Sequence, residues 1–144
     1  MAHKDAGNYG AKHGADKKLN RDIAKAIENR GVKGEIACAE AGSIAAELNV
    51  TMGEVGVAID LLELRITRCQ IGLFGYGDKK TMIEPAGTIS VELEKAIREA
   101  LVDGRLSCAA SWEIAQRFNV PKMNVAAACE ALNIRIKPCQ LGAF

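Results

Sequence analysis

Five cysteines and two histidines are the side chains of this sequence best suited to metal binding or thiol chemistry. Both histidines, His3 and His13, lie in the first 18 residues, far along the chain from any cysteine. Four cysteines form two pairs of equal spacing, Cys38 with Cys69 and Cys108 with Cys139, and Cys129 is the fifth. A closed zinc site takes four ligands, so Cys38, Cys69, Cys108 and Cys139 would have to pool to hold one ion. No CxxC pair marks a redox motif. The spacing therefore favours small, buried, reduced thiols, with a shared metal or cluster and a redox disulfide as the alternatives. No cofactor is expected. No nucleophile stands beside a histidine and no glycine-rich phosphate loop follows a strand, so the chain is not expected to be an enzyme.

The cysteine spacing is one part of a longer repeat. A shift of 70 residues carries Cys69 onto Cys139 and superposes Ile27 on Ile97, Cys38 on Cys108, Asn49-Val50 on Asn119-Val120 and Arg65-Ile66 on Arg135-Ile136. Over 35–74 against 105–144, 15 of 40 positions are identical without a gap, which marks a tandem duplication. The units are expected at 19–74 and 89–144. A Gly-, Lys- and Pro-bearing linker would fill 75–88, and a polar, Gly-rich tail 1–18. A unit of this size is marginal alone, so the units are expected to pack together or the chain to form a homodimer.

The same elements are expected in each unit. Asn20 and Ser90 are N-caps for a first helix. Ile36 and Leu106 mark a brief strand, and a second helix follows with Ala41, Ile44, Ala45 and Leu48 inward, or Ser111, Ile114, Ala115 and Phe118. Asn49 and Asn119 sit at a tight turn where a left-handed residue is wanted, a role for which Asn is the best substitute for Gly. The third helix starts with a capping box at Thr51 and Glu54, or with Pro121, and turns Val55, Ala58 and Leu62 inward, or Val125, Ala128 and Leu132. LRIT and IRIK then read as a second strand. Its apolar parity switches after Arg68, where the second copy has Pro138, so a break is expected there. Beyond it, Gln70, Gly72 and Phe74 recur as Gln140, Gly142 and Phe144. The glutamines would satisfy backbone groups at the bend, the glycines allow a turn or close approach, and the phenylalanines fold back as plugs, each on its own unit.

The fold class expected is mainly α with short strands (α+β). Helix, strand, helix, Ala45–Asn49–Val50–Thr51–Val55 turn, helix, strand resembles the winged-helix variety of helix-turn-helix domains. Ala115–Asn119–Val120–Pro121–Val125 repeats the pattern. The chain is also similar to small bacterial helix-turn-helix-like proteins with a CQLG-x-F segment. The winged-helix resemblance implies a DNA-binding, transcription-regulator-like protein whose third helix enters the major groove. The lack of an apolar h-region near the N-terminus makes the cytoplasm the expected compartment. In the first unit that helix starts Thr51, Met52, Gly53, Glu54, Gly56, with no cation, and 19–74 carries a net −2. In the second, Lys122, Met123, Asn124 and Ala127 would face base edges and Arg117, Arg105 and Lys137 the phosphates, with 89–144 at +1. Lys4, Lys12, Lys17 and Lys18 would add a basic arm. Trp112, at the flank of the second helix where the first copy has Gly42, would cover its own core or serve an interface. A protein-interaction module or accessory subunit on the same fold is the alternative partner reading, and a cysteine-based sensor the third. No apolar run approaches the roughly 20 residues of a membrane span.

Overall fold

The computed structural model describes residues 19–77 and 81–143. The tail with Lys4, Lys12, Lys17 and Lys18, and the plug residue Phe144, lie outside the described residues. The chain is mainly helical with short strands. In the first repeat, α1 (Arg21–Arg30) leads to β1 (Glu35–Ala37), α2 (Cys38–Leu48), α3 (Met52–Leu61) and β2 (Arg65–Thr67). In the second, α4 (Val91–Glu99) leads to β3 (Arg105–Leu106), α5 (Cys108–Phe118), α6 (Lys122–Ala131) and β4 (Arg135–Ile136).

The helix starts follow the local chemistry. Asn20 Oδ1 accepts from the N–H groups of Asp22 and Ile23, and Ser90 Oγ accepts from Leu93 N at 3.1 Å. These bonds fill two of the donors left open at the start of α1 and one at the start of α4. At Thr51 both halves of the capping box form: Glu54 N donates to Thr51 Oγ1 at 3.0 Å, and Thr51 N donates to Glu54 Oε2 at 2.7 Å. The second-to-third helix turn is alike in the two copies. Asn49 (φ 53, ψ 45) and Asn119 (φ 54, ψ 47) are left-handed, and the N–H groups of Val50 and Val120 reach back to the carbonyls of Ala45 and Ala115 at 3.0 Å.

The strands pair in parallel. Glu35 lies opposite Arg65 and Ile36 opposite Ile66 in one sheet; Arg105 lies opposite Arg135 and Leu106 opposite Ile136 in the other. Parallel neighbours need a long crossover, and here it consists of α2 and α3, or of α5 and α6. A winged helix would place an antiparallel hairpin after its third helix. The isolated bridges Val32↔Glu35 and Val102↔Arg105 are antiparallel, and both precede the second helix.

The chain divides into two compact units, but not at the repeat boundary. Unit one comprises residues 1–69 with 140–144, and unit two 70–139. The expected limits 19–74 and 89–144 are thus corrected at their return segments, which change places. The second copy's Gln140-Leu141-Gly142 completes unit one, and the first copy's Gln70-Ile71-Gly72 completes unit two. Leu141 and Ile71 are both fully buried. Burying each contributes roughly 1.5–3 kcal/mol to its unit.

One close approach in each unit calls for glycine. A Cβ on Gly56 of α3 would stand 2.1 Å from the carbonyl oxygen of Leu141, so only glycine admits that strand of backbone. In unit two, a Cβ on Gly72 (φ 79) would stand 2.7 Å from Ile83 Cδ1 and 3.5 Å from Met123 Cε. There Gly72 O accepts from Met82 N at 2.7 Å and from Thr81 Oγ1 at 3.0 Å. The bend ahead of the segment falls where expected: β2 ends at Thr67 and Arg68 takes φ 48. Phe74 is buried as foreseen, though in unit two rather than in the unit its own repeat builds.

Each core is a layer of isoleucine, valine and alanine between helices and sheet. Unit one buries Ile23, Ile27, Ile36, Ile44, Val55 and Ile59; unit two buries Ile97, Leu106, Ile114, Val125 and Cys129. Leu48, expected inward, is 38% exposed, and Ile59 rather than Leu62 fills the deep position on α3.

Candidate nucleic-acid interface

The start of the third helix differs between the copies in charge. In unit one the capping box fixes the Glu54 carboxylate at the first turn of α3, and Asp60 is buried two turns on. Gly56, expected to face outward, is buried beneath Leu141. The return segment thus covers α3 at Gly56, while Thr51, Gly53 and Glu54 at its start stay exposed. The first turn of α3, Met52-Gly53-Glu54-Val55, carries no lysine or arginine.

In unit two, Pro121 and Asn124 replace Thr51 and Glu54, so no carboxylate holds the start of α6. Asn124 is exposed in the first turn, and its backbone N–H bonds Pro121 O at 2.9 Å, which leaves its side chain outward. Lys122 is half-buried, with Nζ 4.7 Å from the centroid of the Trp112 ring. Such a stack places the charge over the negative face of the indole. Met123 turns toward Gly72, and the Ala127 carbonyl accepts from Ala86 N at 3.0 Å. Of the four residues expected to face base edges, Lys122 and Asn124 therefore lie near the helix start, while Met123 sits by Gly72 and the Ala127 carbonyl is bonded by Ala86. Trp112, Glu113, Gln116, Asn119, Pro121 and Lys122 border a groove of about 770 Å³. Trp112 Nε1 is buried beside it without an acceptor.

Of the expected phosphate contacts, Arg117 is exposed on α5 with its guanidinium 5.5 Å from the Phe118 ring centroid. Arg105 and Lys137 lie apart from the helix start, on the sheet. They are joined there by Arg135, which sequence reasoning missed. Arg105 and Arg135 are register partners, and Lys137 stands two residues further along the exposed face, its N–H still donating to Leu106 O at 2.8 Å. A signal was present: the 70-residue shift sets Arg105 on Glu35 and Arg135 on Arg65, turning an opposite-charge pair into a like-charge one.

No disulfide joins the five cysteines. Cys38, Cys69, Cys108 and Cys129 are buried, and Cys139 is half-buried. Burial alone pushes the Cys129 thiol up to about 11. No group of three or more Cys, His, Asp or Glu side chains suited to a metal occurs among the described residues. Nor is any described helix long and apolar enough to cross a membrane. No protein-family model, curated protein or solved structure matches this chain.

Proposed function

We propose that this chain is a non-enzymatic, DNA-associated protein of the tandem helix-turn-helix kind, with unit two as the contacting unit and unit one diverged for packing. The observation that carries the reading is the contrast at the third-helix start. Unit one holds a carboxylate there through a completed capping box, which phosphate would repel, whereas unit two presents Lys122 and the exposed Asn124. Asparagine and lysine are of the right type for adenine and guanine edges. The left-handed Asn119 turn fixes the angle between α5 and α6, as a helix-turn-helix requires. In this reading the winged-helix likeness is limited to the helices, since the strands pair in parallel.

The test is fluorescence anisotropy of a mixed-sequence duplex titrated with reduced full-length protein at low and at physiological salt. Binding that weakens steeply with salt is expected. Absence of binding even at low salt overturns the reading. The second reading, a protein-interaction module, is favoured by the closure of α3 under Leu141 and by the Trp112 groove; it predicts no duplex binding at either salt.

A further inference from the structure

We infer that the exposed edge of the unit-two sheet, formed by Arg105, Arg135 and Lys137, is a phosphate-backbone binding strip for double-stranded DNA. The inference rests on the DNA reading above and names the surface that supplies its affinity. Adjacent strands run about 4.8 Å apart, so the register pair Arg105↔Arg135 starts two guanidinium groups from neighbouring Cα atoms. Like charges at such a position cost stability. The first copy shows how the same sheet avoids that cost, with Glu35 opposite Arg65 and uncharged Thr67 where the second has Lys137.

Among the described residues, no ion pair engages the three charges. The ion pairs formed among described residues engage Arg30, Lys95 and Arg98, and none involves Arg105, Arg135 or Lys137. All three side chains are exposed, on a face whose alternate residues Leu106 and Ile136 point into the core. The fold thus holds the cations on a fixed strand surface, where a phosphate chain supplies the missing negative charge. Contacts of this kind fix position and affinity without reading sequence. They also explain how unit two can hold DNA although Met123 of α6 sits by Gly72 and the Ala127 carbonyl is bonded by Ala86.

Arg105→Glu is the decisive variant, because it rebuilds the Glu35↔Arg65 pair at the same register and is expected to melt no lower than wild type. Its affinity for a mixed-sequence duplex should fall roughly tenfold or more at low salt, and each cation removed should flatten the log K against log salt line by about 0.9. Lys137→Thr, the first copy's residue, should remove one such increment. Anisotropy titrations of wild type, Arg105→Glu, Lys137→Thr and Asn124→Ala separate the outcomes. If the strip variants bind as wild type while Asn124→Ala loses binding, the strip is overturned and the DNA reading stands on α6. If wild type binds no duplex, both fall. If wild type binds anionic phosphatidylserine vesicles more tightly than duplex and Arg105→Glu abolishes that binding, the strip serves a lipid surface and the proposal fails.

Discussion

Cys129 illustrates how burial alone changes a side chain's chemistry. It is fully buried in unit two, where the first copy has Ile59, and its thiol holds its proton to about 11 instead of about 9. Between those values the unfolded chain has lost the proton and the native chain has not. The unfolded state then binds fewer protons, so stability falls as pH rises from about 9 to about 11. Melting curves across that window should show a steeper decline for wild type than for Cys129→Val; parallel declines would refute the assignment. Iodoacetamide at neutral pH should label half-buried Cys139 well before Cys129. That Cys38, Cys69, Cys108 and Cys129 are buried agrees with their reading as small apolar side chains. That Arg135 belongs with Arg105 was not legible in the sequence, because strand register is a tertiary property.

At the scale of the element, local rules account for most of what forms. Thr51 and Glu54, three residues apart before an apolar run, give the capping box directly. Asn at 49 and 119 gives the left-handed turn. Thr51→Ala should cost about 1 kcal/mol, read from urea denaturation, whereas Pro121→Ala in the equivalent place should cost less because no side-chain cap bond exists there. Equal losses would mean that the capping box contributes nothing beyond the backbone. The direction of strand pairing was not legible. Strands of two or three residues carry too few alternating positions to distinguish a hairpin from a crossover partner, and the parallel ladders are set by where α2–α3 and α5–α6 return the chain.

The whole molecule is governed by the exchange of return segments. Gly56→Ala would press a methyl against the Leu141 carbonyl and should destabilise unit one by roughly 1–3 kcal/mol, as overpacking does. It should also speed proteolytic cleavage around 139–143. Ala126→Gly, the reverse change in the second copy, should cost only about 1 kcal/mol through helix propensity. If Gly56→Ala melts like wild type and resists protease, Leu141 does not seat on α3. The exchange also means that neither repeat, cut at its sequence boundary, contains all of its own core.

The sequence by itself determined the duplication, the order of helices and strands, the caps, the Asn turns and the bend after Arg68. Each depends on neighbours within a few residues, or on the match between copies. Only the tertiary structure decided which unit each Gln-(Ile/Leu)-Gly segment completes, the parallel sense of the sheets, and the like-charge pair at Arg105 and Arg135. The two segments are nearly the same in sequence, so their own residues do not say which unit each completes. The choice is made by chain path and by the space at Gly56, which no local pattern encodes.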